Sequence, residues 1–220
     1  MRRLSLCVAL LCVKGETVKI ISSASLIIAL LLASTADAQQ IINGCKIKRK
    51  ASCPGVNLSG VDLTKSNLEG ADLSGANLSG ANLSGDKISE ANLIKANLSG
   101  ANLSGANMAE AYMTGANLSH ANLAKTKLSQ SSMPDANLRE ANLAGADLSL
   151  ANLKGADLTG ANAKGAVFIM TVLTNANMTR ADLTEASLIG TDLRSTNLAG
   201  AIFCKTTMPD RSINNSGCPR

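Results

Sequence analysis

The sequence has almost no aromatic side chains: one Tyr, two Phe and no Trp in 220 residues. Aromatic rings normally supply much of a domain's buried area, so a mixed globular core is excluded and any core has to be aliphatic. Histidine is nearly absent too. His120 is the only one, and no Ser or Cys is spaced to use it as a base. There is no Cys-x-x-Cys, which argues against a zinc site, and no converging set of carboxylates that would hold calcium. Taken together these absences predict no catalytic set, no metal and no cofactor. Nor does any apolar run reach the roughly 20 residues that a membrane-spanning helix needs.

What is present is a period. From Leu58 to Phe203 a central residue recurs every five positions without a break in phase, and 22 of these 30 positions are Leu; the others are Ile88, Met108, Met113, Met133, Ala163, Phe168, Met178 and Phe203. Steps of five scatter side chains around a helix, and along a flat strand they alternate faces. Only a chain that turns within each repeat can send every central residue to one interior, so the period predicts a coiled solenoid with very short faces.

The flanking columns agree. Two residues before each central position stands Ala in 21 of 30 repeats, a second inward site with little room. One residue before stands Asn or Asp in 22 of 30, side chains that bond local backbone at turns. The two positions after the central residue are mostly Ser or Thr and then often Gly, which suits outward corners. His120 and Pro134 both fall on such outward positions. Only six of the 30 Asn/Asp positions are Asp, so a turn role explains the column better than a metal array.

Ala-Asn-Leu-Ser-Gly, as at 76–80, 81–85, 96–100 and 101–105, resembles the repeat of the pentapeptide repeat proteins. That resemblance covers about 150 residues of the chain. It implies an all-β fold, a right-handed quadrilateral β-helix with four pentapeptides per coil and about seven and a half coils, roughly 36 Å long at one strand spacing per coil. A 20-residue coil stacks Ala163 between Leu143 and Leu183, and the Phe168 ring is expected to lean into the gap. Phe203 then ends that column and can plug the open core. Asp86 takes an inward small-residue site, where an unpaired carboxylate is costly, so 85–89 is expected to bulge.

The chain divides into an expected signal peptide 1–38, a cap 39–55, the repeat 56–205 and a tail 206–220. Leu26 to Leu32 is a short apolar run, and Ala36-Asp37-Ala38 has the small-x-small pattern of a cleavage site. Two readings of its start stay open: one long signal peptide, or translation from Val18. Cys7 and Cys12 leave with the leader, and Cys45, Cys53, Cys204 and Cys218 flank the repeat. A disulfide needs Cα atoms about 4.4–6.8 Å apart, and the repeat separates its ends too far for a bridge between them. The pairing is therefore Cys45 with Cys53 and Cys204 with Cys218, each closing one end, which fits an exported protein.

Asn-x-Ser sequences such as 57–59 and 77–79 recur along the solenoid, and dense glycosylation of every coil is implausible. A bacterial protein, periplasmic or extracellular, is expected. Residues 56–205 carry 11 basic and 13 acidic side chains. Lys46, Lys48, Arg49 and Lys50 precede them as a basic cluster, either a contact for an anionic surface or a solvated cap.

The functional reading is a non-enzymatic scaffold for protein–protein contact or envelope structure, by a protein partner or self-association, with no nucleic acid. Its candidate surface is an outward apolar set: Leu150, Val167, Ile169, Met170, Val172 and Ile189. The resemblance offers one alternative, a DNA-mimicking gyrase-binding protein of the quinolone-resistance type. Duplex DNA carries one negative charge per roughly 1.7 Å, so a mimic of this length wants about 20, and the near-neutral repeat does not supply them. A regular face for carbohydrate or ice ranks lower, because Ile94, Arg139, Lys154 and Lys164 interrupt the Ser/Thr column.

Overall fold

The computed structural model describes residues 40–219. The expected signal peptide, its cleavage site and the Val18 start lie outside the described residues.

From 51 to 208 the backbone repeats one five-residue unit, here numbered so that Ala96, Asn97, Leu98, Ser99 and Gly100 are its first to fifth positions. The fifth residue turns the chain. All 30 fifth positions from Gly60 to Lys205 have positive φ; 14 are Gly and 16 are not. That left-handed bend, which only Gly adopts without penalty, directs the first and third side chains of every unit to one interior. The interior is a single column-packed core: Ala96, Leu98, Ala101 and Leu103 are at most 1% exposed, and the same holds for nearly every equivalent position.

Pairing is parallel and always joins residues 20 apart, as in Asn97 with Asn117 and Asn117 with Asn137. Four units therefore separate hydrogen-bonded neighbours. The accounting of backbone N–H groups is complete within a unit. Ala96 closes a turn onto Leu93 O (3.0 Å), Asn97 donates back to Ala76 O (2.9 Å), and Leu98 and Gly100 donate forward to Asn117 O and Ser119 O (2.7 and 2.9 Å). The remaining N–H, of Ser99, is taken by the Asn97 Oδ1 at 3.2 Å.

The unit extends past the leucine series at both ends. Ala51, Ser52 and Cys53 form one unit, with Ser52 paired to Asp72 and Cys53 in the leucine position. Thr206, Thr207 and Met208 form another, with Ser187 paired to Thr207. Short antiparallel hairpins close the two ends. β1 (Ile41–Ile42) pairs with β2 (Cys45–Lys46), joined by Asn43-Gly44, both with positive φ (49° and 80°), the two-residue turn that suits the twist of a hairpin. β3 (Thr206–Thr207) pairs with β4 (Ile213–Asn214). Cys45 lies at disulfide distance from Cys53 and Cys204 from Cys218, with Cα separations of 5.6 and 4.6 Å. Phe203 is half-buried, and Gly217 N–H donates to its carbonyl at 2.7 Å, bringing the tail across the end of the core. A Cβ on Gly217 would sit 2.9 Å from the Phe203 nitrogen, so the approach needs glycine.

Hydroxyls are admitted to the core where a carbonyl receives them. Thr126 and Thr171 are fully buried and donate to Leu103 O and Leu148 O, both at 2.8 Å, carbonyls that also hold a turn N–H. Thr191 donates in the same way to Phe168 O.

The expected bulge at 85–89 is not there. Asp86 is buried, but its N–H and C=O keep the regular bonds to Leu83 and Asn107. The distortion lies one coil earlier, at Lys65–Asn67, where φ is 94° at Lys65 and 49° at Asn67. Asn67 N–H and the Ser66 hydroxyl turn to the Asp86 carboxylate at 2.9 and 2.7 Å. The carboxylate is paired, so the chain bends toward it rather than expelling it. Asp86→Ala should cost about 1–3 kcal/mol by leaving two donors without a partner, whereas Ser66→Ala in the same chain should return part of that loss; urea denaturation of the single and double variants checks both.

Ala163 and Phe168 are both fully buried. If the ring fills the space that Ala163 leaves, Ala163→Leu alone should destabilise by about 1–3 kcal/mol through overpacking. The double variant Ala163→Leu/Phe168→Leu should be more stable than the sum of the two changes predicts. Additive losses in a thermodynamic cycle would show that the two sites are independent.

Candidate functional site

The second position of the unit decides how the four faces differ. All 22 Asn and Asp residues there accept the N–H two residues on, as expected; Asn57 with Ser59 (3.2 Å) and Asp157 with Thr159 (2.9 Å) are examples. A coil-to-coil ladder comes with it. Asn117 Nδ2 donates to Asn97 Oδ1 (3.2 Å) and Asn137 Nδ2 to Asn117 Oδ1 (3.0 Å); on the next face Asn122 donates to Asn102 (3.2 Å) and Asn142 to Asn122 (3.1 Å). Two adjacent faces thus carry asparagine ladders, from Asn57 to Asn137 on one and from Asn82 to Asn162 on the other.

The other two faces do not. One carries Lys87, Lys127, Val167 and Ser187 in this column, the other Tyr112, Ser132 and Val172. Where Asn or Asp is missing, the N–H two residues on has no acceptor among the described residues; Ile169, Thr174 and Ile189 are such cases. Pro134 fits the same rule, since it follows Ser132 and has no N–H to satisfy.

The six residues of the predicted apolar set fall on the corner between these two faces. Leu150 N–H donates to Ile169 O, and Met170 N–H to Ile189 O, both at 2.9 Å, so the residues lie on three successive coils. Leu150, Met170 and Val172 are exposed (52%, 61% and 36%), while Val167, Ile169 and Ile189 are half-buried. Met170 leans over Gly190, where an added Cβ would be 3.5 Å from its Cγ. Both Leu150 and Met170 occupy left-handed fifth positions, with φ of 61° and 55°. The other fourteen non-glycine residues at these positions are polar or charged.

Tyr112, 53% exposed on one of the asparagine-poor faces, is an outward ring that the sequence reading passed over. Its signal was there, a lone aromatic in an Asn column. His120 is exposed and lies 3.4 Å from Glu140 Oε2. Among the described residues no group of His, Cys, Asp and Glu could hold a metal, and no helix is long and apolar enough to cross a membrane.

This geometry agrees with comparison to known proteins. The sequence model described as Pentapeptide repeats matches in eight copies, over residues 51–85, 91–130, 131–168, 151–188 and 171–208. The chain therefore belongs to the pentapeptide repeat family. Among solved structures it is similar to HetL, a pentapeptide repeat protein involved in heterocyst differentiation regulation from the cyanobacterium Nostoc sp. strain PCC 7120. That match has 26% identity, covers 88% of this chain and 100% of HetL, and has a TM-score of 0.41. A trypsin-treated form of QnrB1, a plasmid-mediated fluoroquinolone resistance protein, matches at 17% identity over 76% of this chain and 89% of its own, with a TM-score of 0.46. A pentapeptide repeat protein of the Arabidopsis thaliana thylakoid lumen matches at 32% identity over 54% and 68%, with a TM-score of 0.32. No curated protein matches the chain.

Several aspartates in the second position are held below the ordinary carboxylate range. At Asp192 the Arg194 side chain is the main cause, followed by the Arg194 N–H. At Asp157 burial works in the opposite direction but is outweighed by the Thr159 hydroxyl and N–H and by Arg139; at Asp182, Thr184 and Lys164 outweigh burial likewise. A carboxylate with a folded pKa below its unfolded value stabilises fully above the unfolded pKa and loses that contribution as pH falls through the folded value. Thermal unfolding should therefore show a plateau near neutral pH and a declining midpoint below about pH 4. Asp182→Asn should make the decline shallower; a variant with the wild-type slope would remove Asp182 from this account.

Proposed function

We propose that the protein is an exported, non-enzymatic scaffold that binds another protein along the corner formed by Leu150, Ile169, Met170, Val172 and Ile189. In this reading the solenoid is a right-handed quadrilateral β-helix, its leucine series making about seven and a half coils. A cap at 39–55 and a tail at 206–220 close it, and a signal peptide at 1–38 precedes it. The periplasm or the extracellular space is its compartment, which the two cysteine pairs favour.

The observation that carries the proposal is the pair Leu150 and Met170. Large side chains in left-handed backbone cost about 1–2 kcal/mol relative to right-handed conformations, and glycine at the fifth position would avoid this. Instead two apolar side chains stand there, stacked and exposed. Beside them the N–H groups of Ile169 and Ile189 have no acceptor among the described residues. The matching partner is a protein segment with an apolar strip and backbone carbonyls within reach of those donors. The gyrase-binding alternative draws no support from charge, since acidic and basic residues nearly balance along the repeat.

Leu150→Gly and Met170→Gly separate folding from binding. Each should leave thermal stability unchanged or raise it by up to about 1 kcal/mol. Together they should abolish a cross-linked species captured from the exported fraction, or the higher-mass species seen by light scattering if the partner is a second copy. Capture that survives both substitutions would sink the assignment.

A further inference from the structure

A second surface lies at the N-terminal end, and its chemistry is different. Between residues 40 and 61 there are four basic side chains, Lys46, Lys48, Arg49 and Lys50, and no acidic one. From 51 to 220 the chain has thirteen basic and fourteen acidic residues. The positive charge of the sequence after residue 39 is thus concentrated at one end of the solenoid.

The hairpin gives this charge a shape. Lys46 is the last residue of β2 and Lys50 occupies a left-handed position (φ 54°) at the first corner. Together with Lys48 they line a cleft of ≈ 240 Å³ whose remaining wall is Gly44 and residues 51–53. No carboxylate lines it. Arg49 is spent elsewhere, on Glu69 at 2.7 Å. Among the described residues Lys46, Lys48 and Lys50 have no carboxylate within salt-bridge distance, so the three lysines bordering this concavity have no counter-charge, and the Lys50 stem extends from it over Gly70. Such an arrangement raises the local concentration of anions.

One further residue narrows the ligand. Ile41 is 61% exposed and sits directly across the hairpin from Lys46. An apolar side chain beside unpaired lysines fits an interface, where the side chain enters the headgroup region and the lysines meet phosphates. A soluble anion would use the lysines but give Ile41 nothing to do.

We infer that the Lys46/Lys48/Lys50 cleft is a phosphate-binding site that docks the N-terminal end of the solenoid on an anionic phospholipid surface. The inference is independent of the apolar corner, which uses other residues and lies several coils farther along the corner column that Lys50 heads. Lysines near an anionic membrane contribute about 1 kcal/mol each, close to a fivefold change in partitioning per residue.

The test uses the full chain, so that any contribution of residues 1–39 is common to all samples. Co-sedimentation compares vesicles of phosphatidylcholine alone with vesicles containing 30% phosphatidylglycerol. The wild-type chain should prefer the anionic vesicles, and the preference should fall as salt is raised. Lys46→Gln/Lys48→Gln/Lys50→Gln should reduce it by about a hundredfold at low salt, with circular dichroism unchanged, and Ile41→Ser should weaken binding while leaving the salt dependence intact. Inorganic phosphate that displaces the wild-type chain from anionic vesicles, but not from neutral ones, would support phosphate as the shared chemistry. Binding of free phosphate without any preference for anionic vesicles would overturn the lipid surface and leave a soluble anion as the ligand. Equal partitioning of wild type and triple variant would overturn the site itself, and an equal lysine-dependent preference for duplex DNA over vesicles would assign the cleft to nucleic acid instead.

Discussion

Everything in this solenoid depends on a left-handed bend at every fifth residue. Without it the first and third side chains of each unit could not both face inward, and the forward and backward N–H donations could not alternate along the chain. The bend explains why glycine is common at that position, and why the residues replacing it are nearly all polar ones that water can surround. It also explains an aliphatic, almost ring-free core. With only five residues per face, the interior has room for one large and one small side chain per unit, repeated, and few places where a ring fits. Phe168 is admitted next to the one unit whose central residue is Ala163.

Complete pairing of the backbone has a second consequence. Away from the ends and from the distortion at Lys65–Asn67, four of the five N–H groups in a unit are satisfied by main-chain carbonyls, and the fifth relies on the side chain two residues earlier. A face that keeps Asn or Asp there has that N–H satisfied by its own side chain. A face that loses it leaves an outward N–H to water or to a partner. Variation is therefore not evenly distributed in its effects: the two asparagine-poor faces are where the fold leaves chemistry unassigned, and the apolar corner lies between them.

How much of this could be read from the sequence follows from the range of each interaction. The five-residue period, the inward Ala and Leu columns and the Asn–turn contacts are local or strictly repeating, so they were legible; so was the juxtaposition of Leu150 with Met170, once a 20-residue coil was borrowed from the family resemblance. The surroundings of Asp86 were not legible. Its partners, Ser66 and Asn67, are 20 and 19 residues away, and whether a buried carboxylate bulges its own segment or bends its neighbour depends on which backbone yields more easily. The asparagine ladder was missed for the same reason, since its bonds join side chains one coil apart. Pro134 could have revealed the N–H accounting, because it stands where the second-position residue is Ser rather than Asn.

The ends of the solenoid show why the lateral corner and the N-terminal cleft can differ so much in chemistry. Each end of a stack of parallel strands presents unpaired main-chain groups that invite another chain. Here a hairpin and a cysteine pair stand at each end, with Asn43 Nδ2 reaching Asn57 O at 2.6 Å on one side and Gly217 closing on Phe203 on the other. With part of those edges covered, what an end offers is set by the side chains of its cap rather than by its strands. The N-terminal cap offers lysines and Ile41. The C-terminal cap offers Ile213, exposed on β4 among mainly polar neighbours. A solenoid with one basic end and an apolar lateral strip can be held by the first and still present the second, because the two surfaces share no residue: Lys50 heads the same corner column as Leu150 and Met170 but stands several coils before them.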